Sequence, residues 1–340
     1  MSATSAPSAA PLSPIAVPAT PKELEARLSA CRYIPDASTA LSLWLALRME
    51  RPLLLEGPAG VGKTSLARAS ADALGRSLIR LQCYEGLDEA KALYEWEYGK
   101  QLLYTQILKD KISEVLAGAG TLVEAIDRIA AQDGVFFSER FILPRPLMRA
   151  ITSAKPVVLL VDEIDKSDSE FEAFLLEILS DFQVSVPELG TITARNLPLV
   201  ILTSNNTREV SDALKRRCLH LFIDFPSQDQ ELQIVKLKVP GIRDHLASEV
   251  ATIVQRIRKL DLKKSPSISE TLDWARALTL LNVETLGDEI VNETLNTIFK
   301  YEGDVRKAQS ELRDFIARQR PKATGEGGDP GSSGSQDVLH

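Results

Sequence analysis

The sequence has few of the residues that build disulfides and metal centres. Its three cysteines, Cys31, Cys83 and Cys218, are far apart and match no metal-ligand spacing, and its three histidines form no cluster. A disulfide framework is therefore disfavoured, and we expect reduced thiols in a cytoplasmic protein. A hydrolase that depends on a protein-bound metal alone is disfavoured too, which leaves magnesium carried in with a nucleotide.

Long apolar runs and an excess of basic charge are also missing. No apolar run reaches the roughly 18 residues that cross a bilayer, so we expect no membrane insertion. The formal net charge is −7. Duplex-binding proteins usually carry a basic face, so we expect no nucleic-acid partner.

Both ends of the chain have the composition of disordered segments. The first twenty residues carry no charge and are rich in Ala, Pro, Ser and Thr, whereas the last twenty contain Gly-Glu-Gly-Gly and Gly-Ser-Ser-Gly. Such segments cannot bury enough apolar surface to fold. We expect a disordered leader over residues 1–21 and a disordered tail over 319–340.

Between these ends, short apolar runs alternate with helical patterns. We predict strands over 52–56, 77–83, 156–161, 199–203 and 220–224, separated by helices. This alternation favours a fold of the α/β class, with a parallel sheet between two layers of helices in a three-layer αβα core.

The pattern changes after Pro226. Residues 22–226 hold the alternating strands and helices, with a mostly helical insert expected at about 84–155 and a β-hairpin at about 183–195. Residues 227–318 have a helical period throughout. The sequence therefore predicts a smaller all-helical domain after the αβα core.

A glycine-rich loop carries the strongest motif. Gly57 to Thr64 fits G-x-x-x-x-G-K-[ST], follows an apolar strand and opens a helix, which is the context that confirms such a match. Glycines let backbone N–H groups turn toward phosphate oxygens, and the helix start adds its positive dipole end. Lys63 supplies a charge to the β and γ phosphates, and Thr64 supplies a hydroxyl ligand for magnesium. We expect ATP and Mg²⁺, with the nucleotide held by Gly57, Pro58, Ala59, Gly60, Val61, Gly62, Lys63, Thr64 and Ser65.

A second motif ends an apolar strand in carboxylates. Asp162, Glu163 and Asp165 follow a strand that is apolar enough to be buried on both faces, and such a strand delivers its last residues to the ligand crevice. We expect Asp162 beside the magnesium and Glu163 as the group that orients or deprotonates the attacking water. We expect Asp165 to cap a helix or to pair with a base such as Lys166.

These motifs, together with the segment 203–206, resemble those of AAA+ ATPases. The stretches 83–88, 171–177 and 212–218 make the resemblance closest to the MoxR group, over about residues 22–318. It implies a P-loop NTPase core with a helical lid that hydrolyses ATP to remodel or activate a client protein or a metalloenzyme. It also implies a von Willebrand factor A partner; some members help mature carbon monoxide dehydrogenase and related molybdenum hydroxylases.

The resemblance also implies roles for single residues. Asn205 would be the polar sensor of the γ-phosphate, although a simple turn is the alternative. Arg216 or Arg217 would be an arginine finger that reaches the neighbouring subunit's site, or both would be surface arginines. A finger supplied in trans implies a ring of copies of this chain, for which a hexamer is the expected form.

The resemblance leaves the residues around the base and the lid open. Tyr33 and Ile34 would back the adenine ring, or would form a hydrophobic staple at a helix entry. Many relatives have a sensor arginine where this sequence has Glu270. Arg276 would then take over this role, or the second sensor would be missing.

Other functions remain open from the sequence. A nucleotide-dependent switch or scaffold with little turnover would need the phosphate loop but no water-positioning acid such as Glu163. The acidic net charge disfavours a DNA-directed AAA+ machine. A small-molecule kinase would need neither the paired arginines nor the helical domain.

Overall fold

The computed structural model describes residues 17–107, 121, 141–187 and 189–319. Its strands are β1 Leu53–Glu56, β2 Ser77–Gln82, β3 Tyr94–Trp96, β4 Ile142–Pro144, β5 Val157–Asp162, β6 Gln183–Val186, β7 Gly190–Thr193, β8 Leu199–Ser204 and β9 Leu219–Phe222. Its α-helices are α1 Pro21–Ala30, α2 Ala37–Met49, α3 Lys63–Ala73, α4 Glu89–Ala92, α5 Tyr98–Ile107, α6 Pro146–Ile151, α7 Ser169–Asp181, α8 Asp212–Arg217, α9 Gln228–Lys238, α10 Asp244–Ile257, α11 Ile268–Leu280, α12 Asp288–Thr294 and α13 Glu302–Gln319. Short 3₁₀ turns cover Ile164–Lys166 and Leu295–Thr297.

Five strands form one parallel sheet in the order β2–β5–β8–β1–β9. β5 and β8 are buried along their whole length, as expected for continuous apolar strands covered on both faces. Neighbouring residues of β1 pack on opposite faces. Leu54 belongs to the apolar cluster that includes α6 and α7, whereas Leu53 and Leu55 belong to the cluster that includes α1, α2 and α3. The predicted three-layer αβα core with a parallel sheet is confirmed.

The parallel arrangement brings the carboxyl ends of the strands to one edge of the sheet. Glu56 at the end of β1 is in register with Ser204 at the end of β8, and Gln82 at the end of β2 is in register with Asp162 at the end of β5. Ligands bind outside this edge in open α/β sheets. The loops that follow β1, β5 and β8 therefore lie together where a ligand would bind.

The predicted leader is shorter than the sequence indicates. Pro18 is buried, and its carbonyl accepts hydrogen bonds from Trp44 Nε1 at 3.0 Å and Arg48 Nη2 at 3.4 Å. Helix α1 starts at Pro21 behind the N-cap Thr20, a combination that favours helix initiation. The disorder expected up to residue 21 therefore fails for residues 17–21. Residues 1–16 and 320–340 lie outside the described residues, so the rest of the leader and the tail stay predictions.

The segment predicted as a mostly helical insert contains a small sheet. Tyr94–Trp96 pairs antiparallel with Ile142–Pro144. Tyr94 and Trp96 point to the core while Glu95 forms an ion pair with Arg145, so β3 has the period of two typical of a half-buried strand. The pairing joins residues far apart in the chain, which local periodicity does not show. Residues 108–120 and 122–140 of this segment lie outside the described residues.

The region predicted as a hairpin contains β6 and β7, which pair antiparallel with Val186 opposite Gly190. Val184 and Val186 are buried in the core, whereas Thr191 and Thr193 on β7 are exposed. The hairpin thus packs one face against the αβα core and presents the other face to solvent.

Residues 227–319 contain only helices and a 3₁₀ turn. They have their own apolar cluster around Trp274, which is fully buried and donates a hydrogen bond from Nε1 to Thr294 Oγ1 at 2.8 Å. Within the described ranges, no helix is both long and apolar enough to cross a bilayer.

A buried ion pair ties these helices to the chain that enters them. Glu231 in α9 accepts two parallel hydrogen bonds of 2.7 Å from Arg258, and both side chains are at least nine-tenths buried. Thr271 in α11 and Gln255 in α10 also donate to Glu231, and Gln255 donates to the Pro226 carbonyl. Glu231 therefore joins three helices and the residue where the αβα core ends.

We expect Glu231→Gln to destabilise the helical region by about 3 kcal/mol, because the isosteric amide leaves the buried Arg258 charge without its counter-charge. Urea unfolding followed by circular dichroism measures the effect. Glu302→Gln is the matched control: its partner Arg306 is exposed, and surface pairs contribute at most about 1 kcal/mol. Equal stability of the two variants would contradict the assignment.

Candidate nucleotide-binding site

The loop between β1 and α3 has a backbone that only glycine adopts easily. Gly57, Gly60 and Gly62 have φ of 148°, 76° and 104°. A Cβ on Gly57 would lie 1.9 Å from the Ile223 carbonyl oxygen, and one on Gly60 would lie 2.5 Å from Ser267 Cβ. Residues with a side chain are therefore excluded at Gly57 by Ile223, which follows β9, and at Gly60 by Ser267 of the helical region.

Lys63 lies inside this loop. Its side chain is buried, and Nζ donates hydrogen bonds of 2.7 Å to the carbonyls of Gly57 and Pro58. Burial lowers the pKa of Lys63, and the nearby carboxylates of Asp165, Asp162 and Glu163 offset part of this effect. The loop thus holds an ammonium group at the N-terminus of α3, where the helix dipole also favours an anion.

Hydroxyl and carboxylate oxygens meet beside the loop. Thr64 Oγ1 lies 3.1 Å from Asp162 Oδ1, which also accepts a 2.6 Å hydrogen bond from Thr203 Oγ1. The other oxygen, Oδ2, accepts hydrogen bonds from Arg80 Nε and Nη2 at 3.0 and 2.6 Å. Oxygen donors of this kind are the ligands that Mg²⁺ prefers, so Thr64 and Asp162 fit a magnesium ion.

Glu163 directly follows β5, and its backbone lies in the left-handed region at φ 59° and ψ 52°. Such a conformation costs a non-glycine residue about 1–3 kcal/mol. The Glu163 amide donates to Thr203 Oγ1 at 2.9 Å. Its carboxylate Oε2 accepts hydrogen bonds from Gln82 Nε2 at 2.8 Å and Lys166 Nζ at 2.7 Å. Glu163 is thus aimed along the carboxyl edge of the sheet and held from two sides.

The loop after β8 meets the loop after β5. Asn205 Nδ2 lies 3.4 Å from Glu163 Oε1. Two residues on, Thr207 donates from its amide and hydroxyl to Asp165 Oδ2 at 3.0 and 2.5 Å. Burial raises the pKa of Asp165, but these hydrogen bonds outweigh it, so the net shift is downward. Asp165 therefore joins the two loops, and Lys166 pairs with Glu163 rather than with Asp165.

Two cavities lie on either side of the glycine loop. The smaller one, of about 180 Å³, is lined by Ala59, Gly60, Gly62, Lys63, Thr64, Ser65, Asp162, Glu163, Thr203, Asn205 and Ser269. The larger one, of about 290 Å³, lies between the αβα core and the helical region. Its wall includes Tyr33, Ile34, Val61, Phe225 and Leu272. The smaller cavity has the charge and donors for phosphates, and the larger one has the apolar walls for a base.

Residues 52–218 match the family model of an AAA domain, described as the dynein-related subfamily. This segment of the chain is therefore similar to AAA domains. The matched segment runs from the strand before the phosphate loop to the end of α8, and so includes the whole smaller cavity apart from Ser269.

Two Lon proteases are similar to the chain over most of its length but are much longer. The chain is 30% identical to the Lon protease of Desulforamulus reducens over 81% of its own length and 30% of that protein. It is 28% identical to the Lon protease of Methanosarcina barkeri, over 71% of the chain and 29% of the protein. The chain thus spans less than a third of the length of these relatives. A solved structure of the Thermotoga maritima RuvB Holliday junction branch migration motor is 18% identical to the chain. The alignment covers 76% of this chain and 66% of the RuvB chain, with a TM-score of 0.40.

Tyr33 and Ile34 precede the matched segment and line the larger cavity. Burial raises the pKa of the Tyr33 phenol, which keeps it neutral. The N-cap of α2 is Asp36, so the residue before the cap is Pro35. A hydrophobic staple uses the residue directly before the N-cap, and neither Tyr33 nor Ile34 is that residue. Both residues instead form part of the wall of the larger cavity.

Arg276 does not reach either cavity. Its guanidinium pairs with Asp273 at 3.0 Å on the exposed side of α11. Arg276 thus lies apart from the residues that line the two cavities, and its role as a sensor stays a prediction. Glu270 instead forms a capping box with Ser267. Burial raises the pKa of Glu270, but the hydrogen bonds from Ser267 and the charge of Lys264 outweigh burial and lower it.

Arg216 and Arg217 lie at the end of α8 and are exposed. They line neither of the two cavities of their own chain. Arg51 donates to the carbonyls of Arg216 at 2.8 Å, Arg217 at 3.2 Å and Cys218 at 3.2 Å. A cation at a helix C-terminus stabilises it, so Arg51 fixes the helix end from which both arginines project.

Sequence reasoning missed three groups of the site. Arg80 and Gln82 lie on the same face of β2, where Arg80 donates to Asp162 and Gln82 donates to Glu163. Two polar residues at alternate positions near the end of a strand were the sequence signal that could have indicated them. Ser269 contributes to both cavities. The capping-box pattern Ser267-x-x-Glu270 marks the start of α11, but only the fold places that start against Gly60.

Proposed function

We propose that this chain is a MoxR-type AAA+ ATPase that hydrolyses ATP to remodel or activate a client protein or metalloenzyme, with a von Willebrand factor A partner. The observation that carries the proposal is the convergence of Lys63, Thr64, Asp162, Glu163 and Asn205 on one cavity at the carboxyl edge of the sheet. A site that binds nucleotide with Mg²⁺ needs Lys63, Thr64 and Asp162, whereas hydrolysis also needs Glu163 and Asn205.

Each of these residues has a distinct task in the proposed reaction. Lys63 and the loop amides bind the β and γ phosphates, and Thr64 with Asp162 would hold Mg²⁺, which when bound neutralises phosphate charge. Glu163 orients a water molecule and accepts its proton at the carboxylate. Asn205, on the other side of Glu163, contacts the γ-phosphate or that water.

The MoxR assignment and its partners rest on the sequence resemblance. Two of its stretches, 171–177 and 212–218, belong to helices that pack together, α7 and α8. Glu172 in the first is buried and accepts a 2.9 Å hydrogen bond from the backbone amide of Ser211, the N-cap residue of α8. The resemblance therefore falls on a connected structural unit that carries Arg216 and Arg217, in keeping with a ring in which those residues act on the neighbouring copy.

Lys63→Ala tests the site. We expect the affinity for ATP to fall about a hundredfold, since the variant loses a buried charge that hydrogen-bonds to phosphate. Calorimetry with ATPγS measures the affinity. Lys215→Ala, which removes a lysine paired with the exposed Glu209, is the control. Hydrolysis of ATP by Lys63→Ala at the wild-type rate would show that the site is elsewhere.

A nucleotide-dependent switch with little turnover is the second candidate. The favouring observation is that both acids already have cationic partners: Asp162 pairs with Arg80, and Glu163 with Lys166. Carboxylates that are held by cationic partners suit a protein that binds ATP without hydrolysing it. Single-turnover hydrolysis by the assembled wild-type chain separates the two, because a switch leaves bound ATP intact.

A further inference from the structure

Arg80 makes a contact that the proposed reaction does not use. It lies on β2, an edge strand of the sheet, and donates through Nε and Nη2 to the same oxygen of Asp162, Oδ2. Thr203 donates to the other oxygen, Oδ1, and Thr64 Oγ1 lies 3.1 Å from Oδ1 and 3.4 Å from Oδ2. The Asp162 carboxylate is almost fully buried, with the Arg80 cation on Oδ2, the Thr203 hydroxyl on Oδ1 and the Thr64 hydroxyl near both oxygens.

The two sides of Asp162 differ in how firmly they are held. Thr203 is buried on the central strand β8 and also receives the Glu163 amide, so the Oδ1 side is fixed by packing. The Arg80 side chain is 52% exposed, and besides Asp162 it donates to the Gln82 side chain on the same strand. Among the described residues, the outer edge of β2 pairs with no other strand. The guanidinium can therefore swing to solvent without disturbing the core, whereas Thr203 cannot.

The charge of Arg80 opposes a metal at this place. A guanidinium stays charged at any physiological pH, and a dication held by Thr64 and Asp162 would lie within a few ångströms of it. Like charges at such a separation repel by an amount that water screens only in part. The Asp162 negative charge also cannot be shared fully between Arg80 and a metal ion.

We infer that Arg80 competes with Mg²⁺ for Asp162 and so sets the Mg²⁺ concentration at which nucleotide binds with metal. Arg80 holds the carboxylate in place until a metal arrives, and then gives way. The inference rests on the proposed function, since it needs a site that binds nucleotide with Mg²⁺. It makes Arg80 a positioning residue, because it acts through Asp162.

The test measures binding of ATPγS by calorimetry, once in EDTA and once across a series of Mg²⁺ concentrations. The readout is the ratio of the Kd in EDTA to the Kd in saturating Mg²⁺, together with the Mg²⁺ concentration at half-effect. In Arg80→Gln and Arg80→Met we expect the ratio to rise about tenfold and the half-effect concentration to fall accordingly. Arg80→Lys keeps the charge and should stay near the wild-type ratio.

Arg306→Gln is the matched control, since it removes one charge from an exposed pair in the helical region, and its ratio should equal that of the wild type. An unchanged or lower ratio in both Arg80→Gln and Arg80→Met would overturn the inference, because Arg80 would then be neutral or helpful to the metal. That result leaves the proposed function intact if the wild-type chain binds ATPγS and Lys63→Ala binds it about a hundredfold more weakly. A wild-type chain that binds no ATPγS in either buffer overturns both.

Discussion

Replacing Glu163 with glutamine is expected to lower the rate of ATP hydrolysis about a hundred- to ten-thousandfold while ATP stays bound. The amide keeps the shape of the side chain and its hydrogen bond to Asn205 but cannot accept a proton from water. Lys63, Thr64 and Asp162 are untouched, so the phosphates keep their partners. Phosphate release and retention of radiolabelled ATP on the assembled protein measure the two effects.

Glu209→Gln is the control for this variant, because Glu209 is an exposed carboxylate in the same part of the fold. Its carboxylate pairs with Lys215, and its backbone carbonyl accepts a hydrogen bond from the Arg208 side chain. It should turn over ATP like the wild type. Equal hydrolysis by Glu163→Gln and Glu209→Gln would remove Glu163 from the reaction and would favour the switch.

Removing the arginine finger is expected to have an effect of similar or larger size. If Arg216 or Arg217 acts on the neighbouring copy, its replacement by alanine should lower hydrolysis about a thousand- to hundred-thousandfold with little change in ATP affinity. The reason is geometric: both side chains are exposed on α8 and line neither cavity of their own chain. Variants of the two arginines, made one at a time, identify the finger.

Mixing subunits decides whether the finger acts in trans. The arginine variant has an intact phosphate loop, and Lys63→Ala has intact arginines, so each alone should be inactive. In a mixed ring, some sites combine the loop of one with the arginine of the other, and we expect part of the activity to return. No recovery on mixing, with both variants assembled, would contradict a shared site. Lys215→Ala, one residue away, serves as the matched control.

The edge of the sheet explains why the positions of some single residues could be predicted from the sequence and those of others could not. Lys63, Thr64, Asp162 and Glu163 each follow a strand of strongly apolar residues, and in a parallel sheet the ends of such strands meet. Their approach to one cavity could therefore be predicted from the sequence, although their roles still await the experiments above. Asn205 could be placed for the same reason, since it directly follows β8.

The helical region behaved differently. Its helices were visible from their period, but Arg276 was expected near the nucleotide and instead faces Asp273 in solvent. The sequence position of a residue on an amphipathic helix determines its face only once the direction and the partner of that helix are known. Ser267 and Ser269 approach the glycine loop because α11 begins there, and Arg276 is carried away with the later turns of the same helix.

The sequence alone determined the αβα class, the phosphate loop and the acids after β5, because each depends on contiguous residues with a local conformation or a fixed strand period. Only the tertiary structure decided which side chains complete the site. Arg80 meets Asp162, Gln82 meets Glu163 and Ser267 meets Gly60 across neighbouring elements that are distant in the chain. Those contacts depend on the strand order β2–β5–β8–β1–β9 and on how the helical region packs against the sheet, and both are set by the burial of the whole apolar core rather than by any local stretch of sequence.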